Sequence, residues 1–495
     1  MIYPSLTEVK QYEKEYKTVP VGKEIFSDFC TPVQVLRILK SSSKHVFILE
    51  SVERQEKWGR YTFLGYDPAM EIVCNDGILQ IKDVATGEQK CYGEGEENFH
   101  PAPVLRELLA DYKSAKLDQM PSFTGGMVGY FSFDYMKYSE PQMKGEPENE
   151  DGFHDLDLML FDKVIAFDNL KQKLWLITNV RTDHLEENYE KAVEELSAME
   201  KLLRTGTPTE ETRGKLLSDI RPLYTEKQYC DMVNKAKHYI YEGDIFQVVL
   251  SNRLEADFGG SLLDTFRYMR TINPSPYMFY FASSDLEVAG ASPETLVKLE
   301  NGELHTYPLA GTRPRGKNAQ EDEALRTELL ADEKERAEHN MLVDLGRNDI
   351  GKISQFGSVK VEKYMNIEKF SHVMHIGSTV RGLIDDAHDG LDAVDAILPA
   401  GTLSGAPKIR ACEIIRELEN NKRGIYGGAI GYLDFTGNMD TCIAIRIAYK
   451  KGGKVFVRSG AGIVADSVPE KEYQECINKA KAVVLSLQRS EEVEA

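Results

Sequence analysis

Six short apolar runs, each closed by turn-forming residues, occupy 46–49, 61–64, 70–73, 126–133, 158–167 and 173–180. Runs of this length bounded by turns read as strands, so the first part of the chain is predicted to be sheet-rich. A helix-like span over 183–204 ends in a polar passage, 205–217, rich in Thr, Gly, Glu and Lys, which is the natural boundary. The acidic, Pro-containing segment 140–155 reads as a loop inside the first domain. Beyond the boundary, Thr225 and Gln228 form a capping-box pattern, and Tyr229, Met232, Val233, Ala236, Tyr239 and Ile240 share one helical face up to Gly243. Strand-like runs at 246–250, 277–281, 287–291 and 295–299, a long helical stretch through Leu345 and later strands to Val457 complete an α+β pattern. The expected division is 1–204, a linker 205–222, a second domain 223–490 and an acidic tail 491–495, which suits a chain of 495 residues.

Sixty Lys and Arg against eighty Asp and Glu give a net charge of −20. That balance argues against nucleic-acid or anionic-membrane surfaces, and any anionic ligand must meet a local positive site. The seven cysteines are odd in number and form no C-x-x-C pair, so reduced thiols are expected rather than zinc or disulfides. The start has no apolar signal region and no run of eighteen apolar residues occurs, which reads as a cytoplasmic protein without membrane contact.

The run 398–408, Leu-Pro-Ala-Gly-Thr-Leu-Ser-Gly-Ala-Pro-Lys, precedes a helix-like stretch over 409–419. Small residues at a helix start can let backbone N–H groups and hydroxyls approach a carboxylate or phosphate, although an ordinary helix cap has the same look. Pro407 breaks Walker A spacing, so a nucleotide loop is excluded.

Glu338 falls in phase with Met341, Leu342 and Leu345 on a helical pattern from Asp332. It is either a surface acid at the edge of the stripe or a buried carboxylate that needs a cation. The C-terminal helix, starting near Pro469, carries Glu475 and Lys479 at i, i+4, the spacing of an exposed ion pair. Together, Glu338 and Glu475 could supply the two carboxylates of a water-rich Mg²⁺ site. A strand over 455–459 runs into Gly460-Ala461-Gly462, where a glycine turn could hold a carboxylate on its N–H groups; the context contradicts a dinucleotide fingerprint. His372 and His375 stand three apart, and a satisfied core histidine is the alternative to a metal ligand for either one. No serine-hydrolase elbow or zincin motif occurs.

Seven ordered stretches resemble the signatures of the chorismate-utilising enzymes, and of their anthranilate-forming branch in particular, over nearly the whole chain. They are 245–251 (Ile-Phe-Gln-Val-Val-Leu-Ser), 291–294 (Ala-Ser-Pro-Glu), 308–316 (Pro-Leu-Ala-Gly-Thr-Arg-Pro-Arg-Gly), 337–339 (Ala-Glu-His), 343–349 (Val-Asp-Leu-Gly-Arg-Asn-Asp), 401–408 and 458–462 (Arg-Ser-Gly-Ala-Gly). The resemblance implies large antiparallel sheets packed as a sandwich, helices outside, and two interleaved subdomains. It implies Mg²⁺-dependent addition of ammonia at C2 of chorismate with loss of the C4 hydroxyl, giving 2-amino-2-deoxyisochorismate, then elimination of pyruvate to leave anthranilate for L-tryptophan synthesis.

Carried over position by position, Glu338 and Glu475 hold Mg²⁺, Glu294 is the general acid, His375 removes the C2 proton, and Thr402 orients the leaving hydroxyl or the intermediate. Tyr426, Arg446 and the backbone of Gly460, Ala461 and Gly462 bind the enolpyruvyl end, with Gly311, Thr312 and Lys479 lining the site. Gln247 stands where water-adding relatives carry Lys, and Ala310 where aminodeoxychorismate synthases typically carry a nucleophilic Lys. Those synthases are the runner-up, and a non-catalytic tryptophan sensor on the same fold is the alternative from another class. Leu49-Glu50-Ser51 and 273–279 (Asn-Pro-Ser-Pro-Tyr-Met-Phe) resemble a tryptophan feedback site drawing on Glu50, Ser51, Pro276, Tyr277 and Met278. With no glutaminase Cys elbow in the chain, glutamine use implies a separate amidotransferase subunit, component II, in a heterodimer or heterotetramer.

Overall fold

The computed structural model describes residues 2–51, 59–143, 151–208, 212–369 and 373–493. Its strands form two large antiparallel sheets, one of fourteen strands and one of twelve. Each sheet takes strands from both sides of the 205–222 passage. In the larger, Val46–Glu50 pairs with Tyr277–Ala282, setting Glu50 opposite Met278. In the smaller, Gly126–Phe131 pairs with Ala429–Asp434.

The sheets face one another across an apolar layer, where Phe47 meets Phe161 edge-on at 4.7 Å and Tyr130 stacks with Phe281 at 6.4 Å. Helices cover the outer faces. Glu226–Glu242 and Lys408–Glu419 pack on the larger sheet through Tyr229, Val233, Ala411 and Ile415. Glu333–Gly351 and Gly390–Ile397 pack on the smaller through Val343, Ile350 and Val394. The capping box at Thr225 forms as its pattern predicts, and Gly243 ends that helix at φ 87°.

Two expectations need correction. The run 158–167 is not one strand: Leu156–Phe161 belongs to the smaller sheet and Lys163–Asp168 to the larger, so the chain crosses the sandwich at Asp162. Almost every residue of both strands is buried, which leaves no alternation to reveal the crossing. The glycines at 460–462 form no turn. They lie within the strand Lys454–Ile463, paired with Gln247–Gly259 so that Ser251 faces Gly460 and Val249 faces Gly462. No helix among the described residues is long and apolar enough to cross a membrane.

Candidate active site

A cavity of about 610 Å³ opens between the Lys454–Ile463 and Gln247–Gly259 strands and the helices Glu333–Gly351 and Pro469–Gln488. The helices supply an acidic wall. Glu335 and Glu338 come from one, Glu472 and Glu475 from the other, with Lys334 and Lys479 beside them. Burial raises the pKa of Glu338, and the nearby Glu335 and Glu475 carboxylates raise it further. The i, i+4 pair read from the sequence forms, with Lys479 Nζ 2.8 Å from Glu475. It serves the cavity as well, because the same ammonium donates to the Gly460 carbonyl at 3.2 Å.

Glu294 follows the strand Leu286–Ser292 and accepts a hydrogen bond from Thr402 Oγ1 at 3.1 Å. Burial pushes its carboxyl up to about 7, against the opposing pull of Thr402, Lys479 and Arg446. Thr402 sits on the short 3₁₀ turn Gly401–Leu403, and within 398–408 only Thr402 and Leu403 line the cavity. That run allows two readings, an anion-receiving helix start or an ordinary helix cap, and the helix start itself is not part of the cavity lining. The helix begins at Lys408, whose Nζ donates to Asp349 Oδ2 at 2.6 Å and to the Ile397 carbonyl at 2.9 Å. Gly405 answers a packing need instead, since a Cβ there would stand 2.1 Å from the Gln247 carbonyl.

Alternation along the strand explains the other glycines. Gly460 and Gly462 line the cavity while the Ala461 side chain is buried in the apolar layer behind them. A Cβ at Gly462 would lie 2.7 Å from Gln247 Nε2, and one at Gly460 2.6 Å from the Leu250 carbonyl. Tyr426 and Arg446 complete this side. Arg446 has φ 53°, a left-handed conformation uncommon for a non-glycine residue, and its Nη1 lies 3.4 Å from Asn273 Oδ1.

Gly311 and Thr312 also line the cavity. His375 is not a wall residue; it stands behind those two, with Nδ1 2.8 Å from the Gly311 carbonyl and 3.1 Å from Thr312 Oγ1. Burial lowers its pKa and favours the neutral imidazole; with Nδ1–H donated to the carbonyl, Nε2 is the basic nitrogen. His372 lies outside the described residues.

Sequence reasoning missed Glu335 and Lys334 as wall residues. Their offsets of three and four from Glu338 were the available signal. It also missed that Arg458 lies in a fully buried cluster, joined with Arg423 to Glu419 at 2.8 and 2.6 Å. Gln247, noted only as a family discriminator, lines the cavity with its Oε1 buried and unpartnered.

A second cavity, of about 140 Å³, gathers Glu50, Ser51, Pro276, Tyr277 and Met278 at the seam between the two halves of the larger sheet. Glu50 is held by Arg270, and Tyr277 Oη donates to Asp440 at 2.8 Å. Ser51 Oγ is buried without a partner.

Residues 49–485 match the family model described as chorismate binding enzyme. A protein from Acetivibrio thermocellus named anthranilate synthase component 1 is 44% identical over 508 aligned positions that cover 100% of both chains. The crystal structure of anthranilate synthase component I from Streptococcus pneumoniae TIGR4 matches with a TM-score of 0.75 at 40% identity, over 88% of this chain and 94% of that one. The menaquinone-specific isochorismate synthase from Escherichia coli shares the fold, with a TM-score of 0.68 at 19% identity over 98% of each chain.

Proposed function

This chain belongs to the chorismate binding enzyme family, and we propose that it acts as a carbon–oxygen lyase, joining chorismate to ammonia and releasing anthranilate and pyruvate for L-tryptophan synthesis. The observation that carries this reading is one cavity holding an acidic wall, the Arg446 cation and the Glu294 carboxyl near neutrality. A substrate with two carboxylates needs a different partner for each, and the cavity offers two kinds.

Glu338 and Glu475 would hold Mg²⁺. They suit it because their carboxylates supply hard oxygen donors, and burial, with like charge from Glu335 and to a smaller degree Glu475, raises the Glu338 pKa, a penalty on its charge that a divalent cation relieves. Bound there, the ion would neutralise the ring carboxylate and steady the ring for attack. Arg446, Tyr426 and the backbone at Gly460 and Gly462 would receive the enolpyruvyl carboxylate.

Hydroxide leaves poorly, so Glu294 would give its proton to the C4 oxygen, which departs as water while the ammonia nitrogen bonds to C2. Thr402 would orient that oxygen. His375, beside the wall residues Gly311 and Thr312, would then take the C2 proton through Nε2; the C2–H electron pair aromatises the ring as the ether bond at C3 breaks and enolpyruvate leaves to become pyruvate. Gln247 has no basic nitrogen with which to activate water, which favours ammonia as nucleophile.

The cavity at Ser51, Tyr277 and Met278 is the proposed tryptophan site. Its aromatic and Met lining suits an indole, and its position across the Glu50–Met278 register lets a ligand bias both halves of the sheet. Ammonia would come from a separate glutamine amidotransferase subunit or from free ammonium. The test is to supply the purified chain with chorismate, Mg²⁺ and ammonium. Fluorescent anthranilate supports the reading, and isochorismate or a stable aminated diene opposes it; glutamine should serve only after the second subunit is added.

A further inference from the structure

Beside Glu294 lies a separate cavity of about 40 Å³, which shares Glu294, Leu342 and Thr402 with the main cavity and is also lined by Asp349. At about 10–15 Å³ per water, it has room for about three. Its polar lining includes Glu294 and Thr402, hydrogen-bonded to each other, and Asp349, which is buried against Lys408. Lys352, half exposed just past the end of the same helix, lies 3.9 Å from Asp349 and puts that carboxylate next to a solvent-facing group. Lys408 thus ends the conspicuous run 398–408 not on a substrate anion but on this carboxylate.

We propose that this cavity holds a short chain of water molecules through which Asp349 returns a proton to Glu294 after each turnover. The inference rests on the functional reading above. When Glu294 protonates the departing C4 oxygen, the C4–O electron pair leaves with that oxygen as water, and Glu294 remains as a carboxylate. Substrate then fills the main cavity, whereas the side cavity stays on the other side of the same carboxyl. A water there gives its proton to Glu294 and takes one from the Asp349–Lys408 pair, which is replenished from solvent at the Lys352 end. The ammonium group formed at C2 releases a proton to solvent, so the cycle balances. Burial pushes Asp349 up and Lys408 down, which brings the two closer in proton affinity than they are in water and suits a pair that passes a proton on.

Asp349 is a positioning residue by this account, acting through water and Glu294. In the full-length chain assayed with ammonium, Asp349→Asn should lower kcat about ten- to a hundredfold and leave KM for chorismate within about twofold. It should also raise the solvent deuterium isotope effect on kcat as proton return becomes limiting, and Asp349→Glu should restore both. An Asn variant that folds with wild-type kcat and isotope effect, or that loses kcat with an unchanged isotope effect, overturns the relay. Independently of any variant, high-resolution crystals of the wild-type chain should show ordered water bridging Glu294 and Asp349, and a dry cavity overturns it. Wild-type anthranilate formation is the control, and its failure counts against the functional reading rather than the relay.

Discussion

Thr402 Oγ1 donates a 3.1 Å hydrogen bond to Glu294 Oε1, tying the 401–403 turn to a carboxyl that burial holds at about 7. Burial favours the protonated form and the hydrogen bond favours the ionised one, so the two oppose each other at a single group. A general acid works only while it keeps its proton. The kcat/KM for chorismate, corrected for free ammonia, should therefore fall as pH rises through about 7. Replacing Thr402 with Val removes one of the groups that lower the pKa and should move this limb to higher pH. Glu294→Gln should lower kcat by about 10²- to 10⁴-fold.

Glu338 is buried against like charge, so its ionised form weakens the metal-free fold at neutral pH. Glu338→Gln should raise the thermal midpoint of the metal-free chain by about one or two degrees while abolishing the dependence of activity on Mg²⁺. Calorimetry with and without the ion checks both halves. A midpoint that drops in the absence of metal would contradict the charge assignment.

His375 is assigned only the second half of the reaction. His375→Ala should still consume chorismate and ammonia but release pyruvate at least about a hundredfold more slowly, with an aminated, non-aromatic product building up. Rapid-quench chromatography separates that product from anthranilate.

Ser51 Oγ is a buried polar atom of the smaller cavity without a partner among the described residues. Ser51→Leu fills that space with apolar bulk and should weaken tryptophan inhibition at least about tenfold, leaving kcat and KM for chorismate within about twofold. Inhibitor titrations measure it directly.

Gly460 sits in mid-strand with no room for a side chain, since a Cβ would meet the Leu250 carbonyl at 2.6 Å. Gly460→Ala should destabilise the chain by about 1–3 kcal/mol and weaken chorismate binding, because the backbone that must shift also lines the cavity. Denaturant unfolding and KM report the two effects.

The legible part of the sequence was the part written in periodicity. The stripe of Tyr229, Met232, Val233 and Ala236 gave a helix with the expected cap, and Glu338, in phase with Leu342, proved to be a cavity wall residue beside it. Periodicity failed where both faces are covered. The stretch from Leu158 to Phe167 reads as one apolar run although it crosses between sheets, and only Asp162 and Lys163 interrupt it. Glycine chemistry misled in a different way. Gly460 and Gly462 look like a turn, yet they exist to admit Tyr426, Gln247 and a neighbouring strand at close range. The pairing of Lys408 with Asp349, fifty-nine residues apart, has no local signature at all.

The most direct test of the account is the stoichiometry of the reaction with ¹⁵N-ammonium, chorismate and Mg²⁺ on the purified chain. One ¹⁵N-anthranilate should form for every pyruvate released, with both slowed about 10²- to 10⁴-fold in Glu294→Gln. A labelled, non-aromatic amine formed by the wild-type chain without pyruvate, or a hydroxylated product carrying no label, would contradict it.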